Sequence, residues 1–272
     1  MEWITIILSS FLAAISPAGL VIDSVVENTL RSQVETVEQL EVRIDSTPSY
    51  QVLQGKVDRV RIASRGVQPI PNLRIAVAEL ETDAIDVDIE RLQQEGANSL
   101  PQALRQPLQG AVRLVVTESD LDRALQSPNI KSRLETLIND FAASVGETSA
   151  PSFQILQAEL DFLGENRLEL TLKLQPSQTQ NNQSEPIEIQ LEVGLKLVAG
   201  RSLQLSDPKG TVNGRRLSTR LLRGLAEGLN EELDLRRLEK RGIAARLLKL
   251  DVGEEEMSIA AFVRVEPSVS SR

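Results

Sequence analysis

The chain has 272 residues, enough for one large β-rich domain or two ordinary ones, and with only 3% aromatic residues any core must be aliphatic. The absence of both Cys and His excludes disulfides, thiolate and imidazole metal ligation, and Ser-His-Asp or Cys-His catalysis. A net charge of −9 argues against general nucleic-acid binding, and the scarcity of aromatics argues against base or sugar stacking.

Residues 3–22, "WITIILSSFLAAISPAGLVI", carry no charge. Twenty helical residues at ~1.5 Å each span roughly the 30 Å of a bilayer's hydrocarbon, so the segment reads as a membrane anchor. Ser16 and Ala18 also suit a cleaved signal, and a buried first helix is the third reading. Ile22, Val26, Leu30, Val34 and Val37 then recur at helical spacing and predict an amphipathic helix.

Period-two alternation follows. Leu73, Ile75 and Val77 share one parity, and so do Ile85, Val87 and Ile89, which leaves Asp86, Asp88 and Glu90 on the wet face of a predicted strand. In "TESDLDRAL", Thr117 is the expected N-cap of a short helix, with Asp120 three residues on. Ser127 and Pro128 open a second helix whose stripe is Ile130, Leu134, Leu137, Ile138, Phe141 and Val145. "TSAPS", residues 148–152, reads as a linker.

Beyond it a hairpin is predicted, with Leu156, Leu160 and Phe162 before a "GEN" turn and Leu168, Leu170, Leu172 and Leu174 after it. "PSQTQNNQSEP", residues 176–186, is a polar surface loop. "IEIQLEVGLKL", residues 187–197, then sets Ile187, Ile189, Leu191, Val193, Leu195 and Leu197 on one face. As a strand it extends roughly 36 Å at ~3.3 Å per residue, comparable with a stretched lipid tail.

Leu217, Leu221, Leu222, Leu225 and Leu229 predict a last amphipathic helix capped by Ser218. Residues 209–249 hold eleven basic against five acidic side chains, a local excess suited to an anionic membrane surface. Arg215, Arg216, Arg220 and Arg223 crowd the start of that helix, where free N–H groups also favour an anion. A final hairpin turns at "DVGEEE", with Met257, Ile259, Ala261, Val263 and Val265 on one face. No Gly-rich phosphate loop, nucleophile elbow or metal-spaced cluster occurs, so no cofactor is implied and the chain does not read as an enzyme.

Five stretches carry a resemblance: "SYQVLQGKVDRVRI", "LRIAVAELETDAIDVDI", "RLVVTESDLDRAL", "VAGRSLQL" and "IAARLLKLDVGEEEMSIAAFVRV". In this order the chain resembles domain of unknown function 2993, the LmeA-like phospholipid-binding proteins of the bacterial envelope. The resemblance implies an α+β fold, a long antiparallel curved sheet or barrel-like wrap packed with amphipathic helices, similar to tubular lipid-binding folds. It also implies a site outside the cytoplasmic membrane, with tethering through residues 3–22, and brings no catalytic residues.

The expected organisation is an anchor or signal over 1–22, one lipid-binding-like domain over 23–267 with a division near 148–152, and a tail over 268–272. Leu168, Leu170, Leu172, Ile189, Leu191, Val193, Ile259 and Val263 are the expected contacts to acyl chains of a phospholipid or other amphipathic lipid. Arg215, Arg216, Arg220 and Arg223 are the expected headgroup or membrane contacts. The competing reading is an envelope interaction or scaffold module whose sheet closes on its own core.

Overall fold

Alternating runs become long strands. The computed structural model describes residues 31, 34–95, 100–145, 152–176, 185–240 and 242–268. The anchor segment, nearly all of the first amphipathic helix and most of the linker, the polar loop and the tail lie outside the described residues. The first part builds β1 (Gln39–Asp45), a 3-10 turn (Ser49–Gln54), β2 (Lys56–Val57), β3 (Arg59–Ile70), β4 (Leu73–Thr82) and β5 (Ile85–Asp86). There follow α1 (Ile89–Glu95), α2 (Leu100–Ala103), β6 (Leu108–Thr117), α3 (Glu118–Leu125) and α4 (Pro128–Val145). The second part comprises β7 (Phe153–Gly164), β8 (Arg167–Pro176), β9 (Ile187–Val198), β10 (Ser202–Val212) and β11 (Arg215–Arg216). It ends with α5 (Thr219–Glu232), α6 (Arg236–Glu239), β12 (Ile243–Val252) and β13 (Glu256–Val265).

The strands assemble into two main antiparallel sheets, β1-β3-β4-β6-β13-β12 and β11-β10-β9-β8-β7, with β2-β5 as a small third. The last hairpin thus returns to the first sheet, where Ile259 pairs with Leu114 and Val263 with Gly110. Among the described residues neither main sheet closes into a barrel, so the α+β expectation stands as two open sheets. The outer edge of β12 meets the turns of the second sheet instead. Leu247 N donates to Gly200 O at 2.8 Å, and Val252 N donates to the Asn166 side-chain oxygen at 2.8 Å.

The helix starts follow the caps read from the sequence. Thr117 Oγ1 accepts from Asp120 N at 3.2 Å, Ser127 Oγ from Ile130 N at 3.4 Å, and Ser218 Oγ from Leu221 N at 3.3 Å. Helices α3 and α4 then do something the sequence does not announce: they cap the free edge of β7. Glu118 accepts from Phe162 N at 2.6 Å and Asp122 from Leu160 N at 2.8 Å, while Gln126 donates to Ala158 O at 2.7 Å. Glu135 accepts from Ile155 N at 2.8 Å, and Asn139 from Phe153 N at 2.7 Å. Side chains four apart on a helix share a face, and here that face satisfies strand groups that an uncovered edge leaves open.

With the helices pinned there, Leu125, Leu134 and Ile138 pack onto Ile155, Ala158, Leu172 and Leu174. A neighbouring cluster joins Leu121 to Phe162, Leu195 and Val252. The greasy face of the second sheet is therefore filled, in large part, by its own helices.

Two local expectations change. The strand predicted through residue 90 stops at Asp86, because Asp88 accepts from Arg91 N at 3.1 Å and starts α1 instead. Leu156, expected beside Leu160 and Phe162, is 47% exposed. The register of β7 slips between Ile155 and Gln157, and that bulge sends Ile155 and Ala158 inward in its place.

Candidate functional site

The inner face of the first sheet carries an apolar trough of about 330 Å³. Ile62 and Ser64 of β3, Ala78 and Leu80 of β4, Val112 and Leu114 of β6, and Val263 and Val265 of β13 form its floor. Leu40 of β1, with Val34 and Val37 before it, makes one wall. Register explains the shared face, since Ser64 pairs with Ala78, Ala78 with Leu114, and Leu80 with both Ile62 and Val112. Between Ile62 and Pro69 the floor runs roughly 20 Å at ~3.3 Å per residue.

One end is blind. Leu40, Ile62, Leu108 and Val265 belong both to the trough lining and to a solid core with Val52, Val57, Val60, Val87 and Leu104. At the other end Val34, Pro69 and Leu73 are only half-buried. The two buried polar side chains of the lining are already satisfied: Ser64 Oγ donates to Ala78 O at 3.0 Å, and Thr82 Oγ1 accepts from Val60 N at 3.1 Å. The lining therefore makes no polar demand on an occupant.

The trough bends where both of its central strands change inward parity. Ile62, Ser64, Ala78 and Leu80 face it on one side of the bend, and Val67, Leu73 and Ile75 on the other. Gly66, at φ 58°, sits at that change, and a Cβ on it would fall 2.2 Å from the Glu38 carboxyl carbon. Val77, expected to share a face with Leu73 and Ile75, instead pairs with Val115 on the opposite side from Ala78.

A charged brace stands beside the trough. Asp120 of α3 is fully buried; it accepts from Arg74 Nη1 at 3.0 Å and also pairs with Arg123. Arg74 Nη2 donates to Glu38 at 2.8 Å, which raises the guanidinium pKa further above its usual value. One arginine thus ties α3, β4 and the entry to β1 together, and neither Arg74 nor Asp120 lines the trough. Among the described residues no three carboxylates gather as a metal centre requires.

Of the eight expected tail contacts, Val263 lines the trough. Leu170, Leu172 and Ile189 belong to the cluster beneath α4, and Leu168 to the cluster beneath α3. Leu191 and Val193 are half-buried on the same face of β9, and Ile259 is half-buried on β13. Arg215, Arg216, Arg220 and Arg223 are all exposed around the start of α5. Arg216 also borders a second cavity of about 540 Å³ on the second sheet, lined by both polar and apolar side chains. Ile62, Ser64, Ala78, Leu80, Val112 and Leu114 were not singled out from the sequence. Their signal is a pair of small residues, Ser64 and Ala78, directly opposed on neighbouring strands, and it emerges only once the register is known.

Among the described residues no helix is long and apolar enough to cross a membrane. A family model described as LmeA-like phospholipid-binding matches residues 13–262. No curated protein and no solved structure matches the chain.

Proposed function

The chain belongs to the LmeA-like phospholipid-binding family, and on that premise we propose that the trough of the first sheet holds an acyl chain of a phospholipid while the headgroup stays outside. The observation that carries this reading is a blind, aliphatic cavity of about 330 Å³ whose buried polar groups are already bonded. A methylene takes about the room of a water molecule, ~30 Å³, so roughly ten fit. Moved out of water at ~0.8 kcal/mol each, they contribute about 8 kcal/mol before the costs of binding.

The role is binding, with transfer between membranes as its extension, and no chemical step. Residues 3–22 tether the protein at the cell envelope. Arg215, Arg216, Arg220 and Arg223 meet anionic headgroups there, each worth about 1 kcal/mol close to such a surface. The test is native mass spectrometry of the delipidated full-length protein after incubation with dioleoyl phosphatidylglycerol vesicles. One retained phospholipid per chain is expected. A protein that emerges empty, and stays empty at saturating lipid, would leave the closed scaffold as the better account.

A further inference from the structure

The cavity of about 540 Å³ lies on the second sheet, where charged and polar side chains of the strands meet Leu217, Thr219 and Leu222 around the start of α5, and it owes nothing to the trough. Directly opposed residues on neighbouring strands point to the same side, so register arranges its side chains in two rows. Glu169, Glu192 and Lys209 form one row across β8, β9 and β10. Gln190, Thr211 and Arg216 form the next across β9, β10 and β11.

The charges in this grid do not balance pairwise. Glu169 faces Glu192 directly, a like-charge pair that weakens a sheet. Both nearby cations serve Glu192: Lys209 Nζ donates to it at 3.1 and 3.2 Å, and Arg167 Nε at 2.8 Å. These bonds, the lysine's first, hold the Glu192 carboxyl below its usual range. Glu169 makes no ion pair among the described residues, and neither does Arg216. An uncompensated carboxylate and an uncompensated guanidinium therefore border one cavity, three strand spacings apart. At ~4.8 Å per spacing, with a two-residue offset of ~6.6 Å along the strands, that is about 16 Å between backbones.

We propose that this cavity binds a small zwitterion, an ammonium and an acid group joined by a short chain. The ammonium sits against Glu169, the acid group against Arg216 and Lys209, and the linker crosses the Gln190–Thr211 row. A free amino-phosphate and an aminophospholipid headgroup share this chemistry.

Titration calorimetry on the full-length protein separates the sources and the roles. One arm uses phosphoethanolamine, with ethanolamine and glycerol phosphate as half-ligands. The other uses dihexanoyl phosphatidylethanolamine against dihexanoyl phosphatidylglycerol. The amine-bearing acid is expected to bind about tenfold more tightly than its halves, the effect of one further charged hydrogen bond. A preference in the soluble arm points to a free metabolite as sufficient ligand, and a preference confined to the lipid arm points to a headgroup. Glu169→Gln abolishes the preference and leaves glycerol phosphate binding unchanged, whereas Arg216→Gln weakens both acids. Both side chains lie in the strand rows and make no ion pair among the described residues, and thermal midpoints no lower than the native protein's confirm the fold. Equal affinity for the zwitterion and its halves, a Glu169→Gln variant that keeps the preference, or no saturable binding in either arm overturns the proposal. Substitutions in the trough leave the soluble-arm titrations unaltered, so failure there and failure of the acyl-chain reading are separate results.

Discussion

Filling the middle of the trough with a side chain tests the acyl-chain reading where it is most exposed. Ala78 lies between Ser64 and Leu114 in register, on the trough floor. Ala78→Leu adds three carbons, which at ~30 Å³ each take roughly 90 Å³ from a cavity of about 330 Å³. About three tail methylenes lose their place, a loss of ~2.4 kcal/mol or roughly fiftyfold in Kd for a long chain. The informative assay is displacement of a fluorescent acyl probe by phospholipids of graded chain length. For the native protein affinity rises with each methylene until about ten are buried and then levels off. In the variant the plateau arrives about three methylenes earlier, and short chains bind as before. The free variant is expected to melt no lower than the native protein, since its new methyl groups enter empty apolar space. A folded Ala78→Leu protein whose plateau has not moved would show that tails lie elsewhere.

Asp120→Asn replaces the buried carboxylate that accepts from Arg74 and Arg123, and losing these charge-assisted bonds costs about 2 kcal/mol, measurable by urea denaturation. A loss below ~1 kcal/mol would mean that Glu38 alone satisfies Arg74. Asp161 lies between Leu160 and Phe162, whose N–H groups bind Asp122 and Glu118, and burial together with those two carboxylates raises its pKa. A carboxyl raised in the folded state favours folding as pH falls and opposes it above that pKa. Asp161→Asn is therefore expected to raise the thermal midpoint at pH 7, with the gain vanishing as pH falls through the raised value; a pH-independent gain contradicts this account. Glu169→Gln relieves the opposition to Glu192 and should stabilise the unliganded protein by about 0.5 kcal/mol in chemical denaturation, whereas a loss would mean that Glu169 has a structural partner.

How much of this was legible depends on whether periodicity alone could carry it. Leu168 to Leu174 and Ile187 to Leu197 alternate without a break, and they form paired strands in that register. Thr117, Ser127 and Ser218 cap the helices they precede, because a cap is a contact between near neighbours in sequence. The β4 segment hid its bend, since Ile75, Ala76, Val77 and Ala78 are apolar on both parities and a flip of face leaves no trace in the pattern. The site was missed for a related reason. Hydrophobic strength marks residues that fill space, whereas a cavity is marked by residues that do not, such as Ser64, Ala78 and Gly110. Attention accordingly went to the leucine-rich face of the second sheet, where the side chains are largest and α3 and α4 pack on them.

Both main sheets present one apolar face, yet the apolar trough belongs to the first, and the difference lies in polar groups at the edges. Glu118, Asp122, Glu135 and Asn139 bind the outward N–H groups of Phe162, Leu160, Ile155 and Phe153 on β7, so α3 and α4 cannot leave the second sheet without exposing both a strand edge and their own leucines. The same α3 is tied to the first sheet through Arg74 and Asp120, neither of which lines the trough, and among the described residues no helix contributes to that lining. One helix thus closes one sheet and braces the other. Hydrophobic attraction alone would drive either face to be covered; the directional bonds decide which face is filled by the protein and which is left to a ligand.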